Sequence, residues 1–354
     1  MKKMIFRFLM LLSIPVIFLI GFLVVMTMLD VNPDQAIPLT TENNQGMIAQ
    51  TNTLFSVTIF NIGYAGLDEG QDFFMDGGVM SRSSSEEQTR INLEEMGKFL
   101  QEQDSDIILL QEVDIRSSRS FHINQVDYFS NLFTNYSSTF GMNYLVKWVP
   151  VPVTKPMGSV YSGLVTLSKF QTKSSMRYEL PGKEKWPVQI FELNRSIVEN
   201  RIPVENDKEL VLINAHLSAY DKGGLIRKQQ LEFLHHYIIE EYEKGNYVIV
   251  GGDWNHVIPG TDQSFFEVEQ ETPSWVQLLP DDFTPNGFTW GSDPTVATVR
   301  DNANPYQQGV NFVSVIDGFL VSPNVEISEV VGSDLGFEHS DHNPVKAMFM
   351  LKDE

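Results

Sequence analysis

Hydrophobic and polar positions along the chain repeat with two different periods. "LFSVTIFNIG", starting at Leu54, has the β-branched, alternating character of a strand and stops at Gly63. "SEEQTRINLEEMGKFLQEQ" sets Leu93, Met96 and Leu100 on one helical face and opens with Ser85 and Gln88 at capping-box spacing. "DIILLQEV" follows as a buried strand, and "YSGLVTLSK", "QIFELNRSIV", "ELVLINAHLSA", "YVIVGGDWN", "VSVIDGFLVSP" and "PVKAMFML" read as further strands. A second helix, "LIRKQQLEFLHHYIIEEYEKG", repeats apolar residues at 231, 234, 238 and 242 and ends at Gly245. Many strands, few helices and several tight connections predict a layered α+β domain with mixed or antiparallel sheets.

The first residues follow neither period. Lys2, Lys3 and Arg7 precede an apolar run from Phe8 to Leu29, broken only by Ser13, Pro15, Gly21 and Thr27. Such a run is long enough to span a bilayer, and the leading positive charges favour a cytoplasmic N-terminus. No Ala-x-Ala pattern follows, so a retained signal anchor over residues 1–30 is expected rather than a cleaved peptide and a secreted domain. The expected location is the cell membrane, crossed once, with the domain outside the cell. Residues 31–53, rich in Asn, Gln, Thr and Pro without apolar periodicity, read as a flexible linker. As a coil it would hold a domain of residues 54–354 roughly 25 to 30 Å from the membrane.

Composition narrows the chemistry. With 42% hydrophobic and 11% aromatic residues a large core is affordable, and without cysteine neither disulfides nor a thiolate nucleophile can contribute. A net charge of −21 repels polyanions at long range and suits metal cations, although a short basic groove could still hold a phosphate backbone.

Polar residues collect at strand ends, where a rigid sheet aims side chains and loops leave room for a ligand: Asn61, Glu112, Asn214 with His216, Asp253 with Asn255, and Asp317 in "VIDGF". "GFEHSDHNPV" near the C-terminus adds Glu338, His339, Asp341 and His342. These residue types suit metal-assisted attack on a phosphate ester. A hard cation such as Mg2+ wants oxygen ligands, which Asn61, Glu112 and Asp341 offer. Asp253 can orient or deprotonate water, His216 and His342 can stabilise charge on phosphoryl oxygens, and Asp317 can fix the His342 tautomer. Zinc fits less well, because cysteine is absent and His235 and His236 are adjacent, so they point apart on a helix.

"NIG", "LQEVD", "YSGLVTLSK", "NAHL", "GGDWN", "VIDGFLVSPNV" and "SDHNPV", in this order, resemble the endonuclease/exonuclease/phosphatase family over essentially all of residues 54–351. The resemblance implies a four-layer α/β sandwich, with two mixed sheets packed face to face and helices outside, and divalent-metal-dependent phosphoester hydrolysis with Mg2+ or Mn2+. It makes Asn61 and Glu112 metal-site residues and Asp341 a second metal-side acid. It also makes His216 a phosphate contact, Asp253 and Asn255 the pair positioning nucleophile and phosphate, Asp317 the partner of His342, and Tyr161 an active-site tyrosine. Long segments around residues 64–88 and 114–129 depart from the pattern and are expected to border the substrate.

His235, His236 and His256 read as solvated or locally bonded, and Glu69, Asp72 and Asp76 as a solvated Gly-rich loop. Arg116, Arg119 and Arg300 read as phosphate contacts or as ion pairs. The expected activity is an extracellular, membrane-tethered nuclease or phosphodiesterase, with a sphingomyelinase-type phospholipid or inositol-phosphate phosphoesterase, or an inactive binding relative, as alternatives. The expected partners are the phosphoester substrate and, through the N-terminal helix, the membrane; no protein partner is inferred.

Overall fold

Among the residues described by this computed structural model, 2–221 and 223–353, the alternating runs build two seven-stranded sheets. The chain runs through helix α1 (Lys2–Met28), strands β1 (Ala36–Leu39), β2 (Thr41–Glu42) and β3 (Leu54–Asn61), helix α2 (Glu86–Gln103), strand β4 (Ile107–Asp114) and helix α3 (Gln125–Leu132). Strands β5 (Ser137–Val149), β6 (Gly158–Ser168), β7 (Ser174–Glu179), β8 (Ser196–Pro203) and β9 (Glu209–His216) precede helix α4 (Leu225–Glu243). Strands β10 (Tyr247–Asp253), β11 (Thr289–Gly291), β12 (Val299–Arg300), β13 (Val313–Ser314), β14 (Asp317–Val321), β15 (Val325–Gly332) and β16 (Val345–Leu351) complete it.

One sheet has the order β1-β7-β8-β9-β10-β14-β11, the other β15-β16-β3-β4-β6-β5-β2. Each is antiparallel except at one place, β3 beside β4 and β9 beside β10. A parallel pair needs a crossover, and these two crossovers contain the two helices read from sequence, α2 and α4. The α2 start is capped as expected, the Gln88 amide donating to Ser85 Oγ at 3.0 Å.

Both faces of the central strands are buried, so their alternation sorts residues between two apolar layers. Val57 and Ile59 of β3 face Ile249 and Phe319 between the sheets. Phe60 turns outward to Leu93, Met96 and Leu100 of α2, and Val248 and Val250 of β10 turn outward to Leu231, Leu234 and Ile238 of α4. Each such buried side chain contributes about 1.5–3 kcal/mol. The expected order of helix, sheet, sheet, helix is thus present.

Two expectations change. Residues 31–53 are not a free tether: β1 pairs with β7, β2 with β5, and Met47, Ala49 and Thr51 bridge to Phe170, Val204 and Leu351. Exposed sheet edges offer unpaired N–H and C=O groups to any extended chain, whatever its side chains. "QIFELNRSIV" is not one strand, because residues 188–191 form a single 3-10 turn and β8 begins at Ser196.

The expected anchor lies within α1, which is helical to Met28. The side chains of residues 1–9, 11 and 12, part of the same run, lie outside the described residues, and among those described no helix is long and apolar enough to cross a membrane. The end of α1 rests on the domain: Met26 is buried, and Phe22 stacks on Phe191 at 6.0 Å.

Candidate active site

Register places the polar strand ends side by side. In one sheet Asp253 pairs with His216 across the parallel ladder and with Asp317 across the antiparallel one. In the other, Asn61 ends β3, Glu112 lies near the end of β4, and His342 sits in the turn leading into β16. All but Asp317 line one cleft between the two sheets, with a cavity of about 210 Å³.

Asp253 is the hub. Its Oδ2 accepts from Asn61 Nδ2 at 3.0 Å and lies 3.3 Å from His216 Nε2 and 3.8 Å from His342 Nε2. The Asn255 amide donates to its Oδ1 at 2.9 Å, and Asn255 Nδ2 donates to the Leu217 carbonyl at 2.8 Å. Burial, with Asp317 close by, raises the Asp253 carboxyl well above the usual range. Asp317 accepts from His342 Nδ1 at 2.8 Å. Burial works against charge on that imidazole, but Asp317 and Asp253 outweigh it and push His342 up to about 10. His216 goes the other way, driven well below its ordinary value by burial and the nearby Arg195. Their surroundings therefore push the two imidazoles that flank Asp253 in opposite directions, His342 toward its charged form and His216 toward its neutral one.

The metal-side residues form a second group. A register shift between Leu110 and Val113 puts Glu112 at φ 56° and turns its side chain into the cleft, where it stays 24% exposed. A non-glycine residue at positive φ costs about 1–3 kcal/mol and persists where surrounding structure holds it. Burial raises the Glu112 carboxyl, and the Asp341 charge adds to it. Asn61 Oδ1 accepts from the Gly63 amide at 3.1 Å. Asp341 accepts from Asn302 Nδ2 at 2.8 Å, and its Oδ1 faces Gly63, whose missing Cβ would stand 2.7 Å away. Two carboxylates and an amide oxygen lining one cleft are the donor types a hard divalent cation takes. A further cation-compatible grouping is Asp253, Asp317 and His342, whose ligand atoms lie within 4.8 Å of one another. There His342 Nδ1 is already bonded to Asp317.

Tyr161 does not belong to the cleft. Ser162 and Gly163 of β6 line the cleft, while the Tyr161 ring packs edge-on to Phe140 at 5.8 Å. The tyrosines that do line the cleft are Tyr64, Tyr144 and Tyr220. Arg300 is a structural clamp, its Nη2 donating to the Leu67, Asp68 and Gln71 carbonyls at 2.8–3.3 Å and so holding the Gly-rich segment after β3. Arg119 is buried, paired through both nitrogens with Asp114, 3.5 Å from Glu112, and laid over the Tyr64 ring. Arg116 is exposed, and His339 bonds Asn92 at 3.2 Å.

Sequence reading missed Arg195 and took Asp76 for part of a solvated loop. Arg195 is buried in the cleft wall, with a single 3.5 Å contact to the His216 carbonyl and, among the described residues, no carboxylate within 4.0 Å. Asp76 takes the Tyr220 hydroxyl at 2.6 Å across the cleft mouth, and burial pushes it up to about 7. Neither had a sequence signal, since each is placed by loops that fold over the cleft from distant parts of the chain.

An acid–imidazole centre at the ends of two packed mixed sheets defines the phosphoesterase class of α/β sandwich. The model of the endonuclease/exonuclease/phosphatase family matches residues 60–342, and the chain belongs to that family. No curated protein matches it. Among solved structures it is similar to the endonuclease/exonuclease/phosphatase from Beutenbergia cavernae, at 16% identity and TM-score 0.55, covering 84% of this chain and 72% of that one. It is also similar to D. rerio TDP2 complexed with single strand DNA product, at 15% identity, TM-score 0.53 and coverage of 84% and 99%. The family member from Bacteroides vulgatus gives 16%, 0.51, 85% and 100%. At these identities the likeness describes the fold.

Proposed function

We propose that the protein is a divalent-metal-dependent hydrolase of phosphoester bonds, using Mg2+ or Mn2+, held outside the cell by its N-terminal helix. The observation that carries the reading is the convergence of Asn61, His216 and His342 on Asp253 Oδ2, with Asp317 behind the His342 imidazole. Asp253, raised toward neutrality and steered by Asn61 and the Asn255 amide, takes a proton from the attacking water. The water oxygen bonds to phosphorus, the ester P–O bond breaks, and the leaving oxygen takes up a proton. The products are an alcohol and a phosphate bearing one ester fewer. His342, charged and oriented by Asp317, and His216 stabilise the phosphoryl oxygens as negative charge builds.

Asn61, Glu112 and Asp341 would hold the ion. The chemistry it contributes there is polarisation of a phosphoryl oxygen. The membrane assignment rests on the apolar run from Phe8 to Leu29 and the basic residues before it. The test is hydrolysis of bis(p-nitrophenyl) phosphate and of DNA, RNA and inositol phosphates by the full chain, with and without Mg2+. Absence of metal-dependent turnover on every diester and monoester would overturn the reading.

A further inference from the structure

The cleft has two unlike walls. One carries the reacting groups, and the other is apolar, made by Phe74, Met75, Val149, Val151, Phe191 and Leu193. The apolar wall continues outward into two loops. At the turn of the β5–β6 hairpin, Val153 is 88% and the neighbouring Trp148 41% exposed; between β7 and β8, Trp186 is 56% exposed. The loops are joined where the Tyr144 hydroxyl donates to the Phe191 carbonyl at 2.9 Å, and α1 joins them where Trp186 Nε1 donates to Thr27 Oγ1 at 3.0 Å. The end of the apolar helix, both loops and the cleft mouth thus form one face.

Charge on this face runs against that of the whole chain. On a protein of net charge −21, the loops and their flanks expose Lys147, Lys155 and Lys185, and among the described residues none of the three has a carboxylate within 4.0 Å. Exposed indoles interleaved with lysines are poorly placed in water and well placed at a bilayer surface, where the ring sits at headgroup depth and each lysine gains about 1 kcal/mol from anionic lipid. A nucleic-acid strand would need a run of available cations along its path. Of the three cleft arginines, Arg119 is held by Asp114 and Arg300 by backbone carbonyls, which leaves Arg195 alone, and Asp76 and Glu192 line the cleft. The observations therefore favour lipid.

We infer that the 150–157 and 181–193 loops seat the domain on a phospholipid bilayer. The cleft then takes the phosphodiester of a lipid headgroup, admitted along the apolar wall while its acyl chains stay in the membrane. This substrate class rests on the hydrolase reading above, whereas the seating surface stands independently of it.

The test uses the full chain in vesicles of phosphatidylcholine, phosphatidylethanolamine, phosphatidylglycerol and sphingomyelin, with Mg2+. Three quantities are read: cleavage of the vesicle lipids, cleavage of bis(p-nitrophenyl) phosphate, and quenching of tryptophan fluorescence by dibrominated phosphatidylcholine. The double variant Trp148→Ser/Trp186→Ser should lose most of the quenching and at least about tenfold of the lipid rate, since both interfacial anchors are gone, while the soluble diester is cleaved as before. Wild type that cleaves the soluble diester and single-stranded DNA but no vesicle lipid overturns the substrate class. A double variant with undiminished lipid cleavage or quenching overturns the seating surface. If wild type cleaves no phosphoester at all, the hydrolase reading fails and takes the substrate class with it, while the quenching still decides the seating.

Discussion

His342 Nδ1 stands 2.8 Å from Asp317 Oδ2, so an imidazole from the loop before β16 in one sheet is oriented by the first residue of a strand in the other. Asp317→Asn keeps the shape and removes the charge. Hydrolysis should fall at least about 100-fold, as it should in His342→Ala. In the Asn variant the His342 imidazole, observed by NMR titration, should drop from near 10 toward or below 6.5, since burial is then less opposed. An unchanged titration would show that Asp317 does not tune it.

Glu112→Gln tests the metal side through stability. Burial, opposed in part by Arg119 and reinforced by Asp341, raises the Glu112 carboxyl, and Arg119 keeps its pair with Asp114, so without metal the variant should melt no lower than wild type. Mg2+ at about 100 times its dissociation constant should add roughly 2.7 kcal/mol to wild type and much less to the variant. Turnover should fall by orders of magnitude. Equal metal shifts in the two melting curves would make Glu112 a structural residue.

Arg195 is a buried guanidinium with, among the described residues, no carboxylate within 4.0 Å; Glu112, Asp253 and Glu192 act on it from farther away, which leaves its desolvation incompletely offset until an anion arrives. Arg195→Met should leave stability unchanged or raised. It should lower kcat/KM about 10- to 100-fold, the worth of a charge-assisted contact to a phosphoryl oxygen. Steady-state kinetics beside a melting curve check both halves, and a loss of stability would contradict them.

His256 predicts the acid limb of stability. Burial pushes its imidazole down from 6.5 to about 4, with Nδ1 donating to the Trp254 carbonyl at 2.7 Å. Between those values the unfolded chain binds the proton and the folded one does not. Stability is therefore lost as pH falls from 6.5 to 4, by about 3 kcal/mol in all. His342 has the opposite sign: its contribution is complete below 6.5 and lost as pH rises toward 10. Melting across pH should show both limbs. His256→Gln should flatten the acid one, and an acid limb as steep as in wild type would sink the assignment.

What was legible in the sequence is what local periodicity and strand-end chemistry encode. The β3 run, the Ser85 cap and the α4 stripe of Leu231, Leu234 and Ile238 appear where expected, because each depends on neighbours within a few residues. Strand β5 went unread: "SSTFGMNYLVKWV" mixes small, polar and aromatic residues, and its pairing with β6 shifts register twice. Tyr161 directly precedes the cleft residues Ser162 and Gly163, but its ring packs on Phe140, a contact between strands that no local pattern encodes. Asn61, Glu112, His216, Asp253, Asn255, Asp341 and His342 do share one cleft. Arg195 stayed hidden because its burial is made by contacts far apart in sequence.

Strand β16 lies between β15 and β3, so the last strand in the sequence is an inner strand of its sheet and the loop before it carries Asp341 and His342. A chain clipped before residue 340 leaves an open slot beside β3 and lacks the Asp317–His342 pair, keeping of the acid–imidazole pairs only Asp253 with His216 in the cleft. The C-terminal strand thus closes the sheet and supplies one side of the cleft in the same stroke.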